Sequence, residues 1–234
     1  MNNLLVIENI HTYIEQFHIL EGVNLEVPRG SIVVLLGRNG AGKTTTLKSI
    51  LGLRPPRQGK VVLEDREIQG MQPHQIAQLG IGYVPEHRAI FRDLSVEENL
   101  KIAERQKHDL EERSEFIFNV FPDLKRLIKL PAGNLSGGQQ QMLAIARALV
   151  PENSLLLIDE PSEGLAPVLI EEVMDAVRQL SDRTTILLVE QNFSMASQLA
   201  ESYFIIESGR SVKSGQMADL IDDQETINAY LGAA

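Results

Sequence analysis

The sequence contains no cysteine. Disulfides and thiolate metal sites are therefore excluded, and the composition suits the cytoplasm. Positive charge is scarce. Against 32 aspartates and glutamates stand 22 lysines and arginines, a formal net charge of −10, with an isoelectric point near 5.0. That balance does not favour nucleic acid as a partner. No basic tail is available to hold the chain on an anionic membrane. Apolar runs are short: IVVLL and LLLI fall far below the roughly 20 residues of a membrane span. The opening MNNLLVIENI places glutamate where a signal peptide carries its apolar stretch, and it has no basic start. No repeat or low-complexity linker stands out. The five histidines, His11, His18, His74, His87 and His108, have no ligand spacing such as H-x-x-x-H. They are read as surface or loop residues, and no zinc site is expected. If the protein works at a membrane, another chain must hold it there.

What is present is ordinary globular material, 43% hydrophobic and 23% charged, enough for one good core. LLVIENI reads as a strand, and GVNLEVPRGSIVVLLG as two strands turned at Pro28-Arg29-Gly30. A helix is expected from about 42 to 51, and short strands in GKVVLEDREI and IGYV. Residues 95–130 are charged and helical, with a capping-box pattern at Ser95 and Glu98 and breaks at Pro122 and Pro131. Phe116, Val120, Leu124 and Leu127 fall near helical spacing and are assigned to the core of this region. Helix resumes from Ser136 to about Val150. Strands SLLLIDE, TTILLVE and YFIIES then alternate with helices, and a last helix is expected near Ile221–Leu231. This alternation predicts an α/β fold with a mostly parallel sheet covered on both faces. An antiparallel N-terminal β layer and an inserted helical lobe are added to it.

Three motifs carry chemistry. Gly37-Arg38-Asn39-Gly40-Ala41-Gly42-Lys43-Thr44, followed by Thr45, fits G-x-x-x-x-G-K-[ST] between a strand and a helix. Such a loop turns its amides inward as an anion cradle for ATP. Lys43 would meet the β- and γ-phosphates, and the Thr44 hydroxyl would meet Mg²⁺. The strand LLLIDE ends on two acids whose side chains point to opposite faces. Asp159 is placed for the metal and Glu160 to polarise the attacking water. The third motif, Leu135-Ser136-Gly137-Gly138-Gln139, has no lysine of its own.

With these motifs in this order, almost the whole chain resembles the ATP-binding subunit of ABC transporters; LSGGQ is that family's signature. The resemblance implies one ABC ATPase domain over residues 1–234, with a core at 1–85 and 150–234 and a helical lobe at about 86–149. It implies two ATPase subunits packed head to tail, where Leu135 to Gln139 of one close over the nucleotide of the other. Either an identical chain or a sister chain would serve as partner. Val84–Phe91 (VPEHRAIF), Glu160–Pro167 (EPSEGLAP), Leu188–Asn192 (LVEQN) and the ending AYLGAA resemble one ATPase of the branched-chain amino-acid importers, a subgroup that includes urea and amide importers. By that resemblance two membrane permeases and an external solute-binding protein complete the machine. The chain would then sit at the cytoplasmic face of the membrane. A lipopolysaccharide-type export ATPase and a non-transport ABC ATPase are the alternatives.

The resemblance also places Glu86 where most relatives carry a glutamine that touches Mg²⁺ or its water. Gln191 stands in place of the usual histidine switch beside the γ-phosphate. A glutamine amide donates a hydrogen bond but does not titrate, so turnover is expected to lack a histidine-like ionisation near pH 6–7. Ala166 replaces an aspartate in the loop expected to cross the subunit seam. The family stacks an aromatic ring on adenine. Here the position falls on Ile14 or, if the strand bulges, on Tyr13. RAIFRDL is a candidate permease contact.

Overall fold

The computed structural model describes residues 2–232. Ala233 and Ala234, which close the AYLGAA ending, lie outside them, as does Met1. Two sheets organise the chain. The N-terminal sheet has the order β2-β1-β4-β5, all antiparallel, from β1 (Asn3–Ile14), β2 (Phe17–Pro28), β4 (Gln58–Leu63) and β5 (Arg66–Glu67). The central sheet runs β10-β9-β3-β8-β7-β6. Its members are β3 (Ile32–Leu36), β6 (Ile81–Val84), β7 (Leu155–Asp159), β8 (Thr185–Glu190), β9 (Ser202–Glu207) and β10 (Arg210–Gln216). All its pairs are parallel except the edge pair β9–β10. β3, β7 and β8 are buried along their whole length. That is the expected state of parallel strands covered on both faces, and it explains their unbroken apolar runs.

Helices α1 (Lys43–Ile50) and α2 (Pro73–Gln78) follow β3 and β5. Between β6 and β7 come α3 (Val96–Lys101), α4 (Asp109–Val120), α5 (Pro122–Arg126) and α6 (Gly137–Leu149). The capping box at the start of α3 forms as the spacing predicts. Ser95 Oγ accepts from the Glu98 amide (3.2 Å), and the Glu98 carboxylate accepts from the Ser95 amide (2.8 Å). Leu124 is fully buried, with Phe116, Val120 and Leu127 half-buried against the same core. The Arg183 guanidinium lies 4.3 Å from the Phe116 ring centre, a cation–π contact that ties α4 to the segment before β8. Helices α7 (Pro167–Ser181), α8 (Phe193–Leu199) and α9 (Met217–Ile221) complete the cover.

Two expectations change. The last helix, expected near Ile221–Leu231, starts at Gln224 as a short α10 (Gln224–Thr226) and continues as a π-helical turn, Ile227–Leu231, and the separate α9 precedes it. Asp223 causes the break between them. Its carboxylate accepts from the Thr226 amide (3.0 Å) and from Lys213 Nζ (2.6 Å), which starts a new helix instead of continuing the old one. The histidines are not all solvent-facing either. His11 and His18 sit on paired strands, and their Nδ1 and Nε2 atoms lie 3.1 Å apart. The hairpin between them brings together residues that the sequence spacing leaves separate.

Candidate functional site

Parallel pairing decides where the chemistry gathers. Leu36 of β3 is in register with Glu190 of β8, Asp159 of β7 with Val189 of β8, and Val84 of β6 with Ile158 of β7. The carboxyl ends of four strands therefore finish at one rim, where open α/β sheets bind ligands. The glycine loop, Glu86, Asp159-Glu160 and Gln191 all leave the sheet there.

The glycine loop ends in α1. Gly42 has φ +113°, a backbone conformation that favours glycine, and a Cβ there would meet the Leu20 side-chain end, Cδ2, at 2.7 Å. The amides of Lys43, Thr44 and Thr45 are first-turn donors that a helix cannot satisfy itself. None has an acceptor among the described residues. Lys43 is buried, and its Nζ donates to the carbonyls of Gly37 (2.9 Å) and Arg38 (3.2 Å). It also pairs with Glu160 Oε1 at 2.9 Å. Glu160 is held in the left-handed region, φ +44°, by its amide donating to the Val189 carbonyl (2.9 Å). A non-glycine residue there is strained, which turns its carboxylate off the strand direction.

Asp159 is fully buried. It accepts from Thr44 Oγ1 (3.0 Å) and from Tyr83 Oη (3.3 Å). Burial pushes its carboxyl up from 3.8 to about 6, the two hydrogen bonds oppose that shift, and the charges of Glu160 and Glu86 add to it. Burial and the Asp159 charge also push the Tyr83 hydroxyl upward. A carboxyl whose pKa rises on folding penalises the folded state above that pKa. The penalty is relieved as pH falls through about 6 toward 3.8. Its full size is about 3 kcal/mol, less about 1 kcal/mol for a lost hydrogen bond when the carboxylate becomes an amide. Asp159→Asn should therefore raise the melting temperature of the ligand-free chain at pH 8 by about 4–8 °C. The gain should fade between pH 6 and 4, as read by calorimetry. A variant that melts below the wild type at pH 8 would contradict this.

Other predicted residues are placed as follows. Gln191 lines a cavity of about 490 Å³ with Asn39, Glu160 and Glu163. The start of α6 is capped by its own residues. Ser136 Oγ accepts from the Gln139 amide (3.3 Å), and Gln139 Oε1 accepts from the Ser136 amide (3.0 Å). Gln139 is thus engaged in the cap. Leu135 is buried, and Gly138 packs so that a Cβ would lie 2.7 Å from Leu169 Cδ2. Arg88 reaches over this helix end, its Nε donating to Gln141 Oε1 (3.2 Å). Tyr13 stacks on His18 (4.2 Å between ring centres, 4° between planes), with the Arg57 guanidinium 4.4 Å from its ring. β1 is irregular between Thr12 and Tyr13, while Ile14 pairs with Phe17 at the hairpin end.

Sequence reading missed two residues. Tyr83 orients Asp159, and nothing in IGYV announces it. Glu190 is a fully buried carboxylate at the end of β8. It had a signal: TTILLVE, like SLLLIDE, is an apolar strand that ends on an acid. Burial pushes the Glu190 carboxyl upward, and hydrogen bonds from Asn192 and Ser162 oppose the shift.

The family description "ABC transporter" matches residues 20–163. The chain is 39% identical over 232 residues, 98% of its length and all of the relative's, to the high-affinity branched-chain amino acid transport ATP-binding protein BraG of Pseudomonas aeruginosa. It is 39% identical over 222 residues, 93% of its length and 94% of the relative's, to the probable branched-chain amino acid transport ATP-binding protein LivF of Archaeoglobus fulgidus. To the lipopolysaccharide export system ATP-binding protein LptB of Escherichia coli strain K12 it is 32% identical over 220 residues, covering 92% and 91% of the two chains. Among solved structures, the ADP conformation of MJ1267, an ATP-binding cassette of an ABC transporter, superposes over 100% of both chains with a TM-score of 0.87 at 24% identity.

Proposed function

The chain belongs to the ABC transporter family and is an ATP-hydrolysing transport subunit, and from that premise we propose that it powers an importer of branched-chain amino acids. The observation that carries the catalytic part is the meeting of Lys43 with Glu160 and of Thr44 with Asp159 at the strand ends. The solute class is supported by full-length likeness to BraG at 39% identity, against 32% for the export protein LptB.

Each residue's part follows from its chemistry. The unfilled amides of Lys43, Thr44 and Thr45, at the positive end of α1, hold the phosphates of ATP. Residues Gly37 to Gly42 shape the turn that exposes them. Lys43 leaves Glu160 for the β- and γ-phosphates, and this frees the Glu160 carboxylate to orient water and take its proton. Gln191 donates its side-chain amide to the γ-phosphate. Thr44 Oγ1, Asp159 and Glu86 form an all-oxygen donor set that suits a hard cation, and Mg²⁺ bound there would neutralise phosphate charge. Ile14 or Tyr13, at the end of the β1–β2 hairpin, is proposed to meet the base; Tyr13 would first have to leave His18 and Arg57, which cover its ring.

The amino end of α6 faces a different task. Gly137 and Gly138 have no need of a phosphate from their own chain, which Lys43 already serves. In a head-to-tail dimer they close over the partner subunit's ATP. Among the described residues no helix is long and apolar enough to cross a membrane, so attachment would come through two permeases. Phe91 is half-exposed, and the Arg147 guanidinium, which donates to the Ala89 carbonyl (2.6 Å), lies 5.1 Å from its ring centre. Beside it lies a groove of about 410 Å³ lined by Glu86, Arg88, Ile90 and Arg92. This surface is proposed to take a permease helix, with a solute-binding protein acting on the far side.

The test is uptake in cells of the source organism that carry Lys43→Ala. High-affinity accumulation of labelled leucine should fall to background. Normal leucine uptake together with a defect in envelope lipid export would replace this reading with the LptB-like one.

A further inference from the structure

β8 is buried along its whole length and ends on Glu190, which has no exposed surface. A carboxylate so far from water is costly unless its lone pairs are filled. Four hydrogen bonds fill them here. Ser162 donates its amide to Oε1 (3.1 Å) and its hydroxyl to Oε2 (3.0 Å). Gln191 and Asn192 each donate an amide to Oε2 at 3.1 Å. The donors belong to two loops that leave the sheet from different strands. Ser162 follows Glu160 beyond β7, and Gln191 and Asn192 begin the turn between β8 and α8.

Only an ionised carboxylate accepts at all four positions without donating at any. A glutamine would turn an NH₂ toward at least one of these N–H or O–H groups. The charge is therefore matched to its donors, not merely tolerated. Both loops also border the chemistry, since Glu160, Ser162, Glu190 and Gln191 line one cavity with Asn39.

We propose that Glu190 is a positioning residue for ATP hydrolysis, whose carboxylate clamps the Ser162 loop to the Gln191 loop so that the two move as one body. The inference rests on the assignment of Glu160 and Gln191 above. Glu190 touches no substrate. It acts by making a displacement of the Ser162 loop, as when a second subunit docks on it, carry Gln191 with it toward the γ-phosphate. Without the clamp each loop would find its own position, and the reactive arrangement would be populated less often.

The experiment compares the purified wild-type chain with Glu190→Gln, Ser162→Ala, the double variant and Lys43→Ala. It measures kcat, KM for Mg-ATP, ATP affinity without turnover and melting temperature. Glu190→Gln should lower kcat by about tenfold or more with ATP affinity within about twofold. Ser162→Ala should lower kcat less, and the double variant should be no slower than Glu190→Gln, because both remove one clamp. An unchanged kcat in Glu190→Gln, or effects that multiply in the double variant, would overturn the clamp. If Glu190→Gln fails to fold, Ser162→Ala decides alone: lower kcat at constant KM supports the proposal, and unchanged kcat ends it. Lys43→Ala separates the two levels. Hydrolysis that survives it removes the site assignment and the clamp together, whereas its loss beside a normal Glu190→Gln removes the clamp only.

Discussion

Glu160→Gln is expected to slow ATP turnover by about 10²- to 10⁴-fold, the usual worth of a general base, while ATP binds more tightly than to the wild type. Both halves follow from the pair Glu160 Oε1–Lys43 Nζ, 2.9 Å apart and almost wholly shielded from solvent. In the ligand-free chain Lys43 is neutralised by Glu160, and ATP must draw it away. Taking one partner from a buried ion pair is costly. An amide in place of the carboxylate keeps the shape and removes the competing charge. Affinity should then rise by about tenfold, equivalent to about 1.4 kcal/mol. With turnover blocked and binding strengthened, the ATP-bound dimer should accumulate and elute at twice the mass in gel filtration with Mg-ATP. Normal turnover would remove Glu160 as the base. Weaker binding would show that the ion pair does not compete with nucleotide.

The second large effect concerns the division of each site between two chains. Lys43→Ala deletes the buried cation, and Gly138→Asp sets a carboxylate where the partner's phosphate is expected. Gly138 is also tight, with Leu169 Cδ2 2.7 Å from where a Cβ would stand. Each variant alone should fall to background. A one-to-one mixture should recover about a quarter of wild-type activity: random pairing makes half the dimers mixed, and each mixed dimer joins the intact glycine loop of one chain to the intact signature of the other. Phosphate release from the two variants, apart and mixed, reads this directly. A mixture no better than its components would mean that residues 135–139 do not complete a partner's site.

How much was legible depended on how far the partners lie apart along the chain. The glycine loop, the Ser136–Gln139 cap and the Ser95–Glu98 cap are local. Their spacing is their geometry, because a helix start always brings the cap residue and the third helical residue together. The buried strands were legible from apolar runs, and Asp159-Glu160 from acids that interrupt one. At Asp223 only half of the cause is local: its cap on the Thr226 amide lies within three residues, whereas Lys213, which fixes the carboxylate, comes from β10. The pairing of His11 with His18 was not legible, because it depends on hairpin register.

The sequence by itself determined the α/β class, the phosphate loop, the acids at the end of β7 and the second glycine motif with its capped helix. Periodicity and short-range stereochemistry are written residue by residue. Tertiary structure alone decided that β8 lies between β3 and β7 and that β6 pairs with β7, and therefore that Glu190 holds Ser162, that Tyr83 holds Asp159 and that Glu160 holds Lys43. These contacts join residues 28 to 117 positions apart. They exist because parallel strands align their carboxyl ends at one rim, and no local pattern encodes which strands become neighbours.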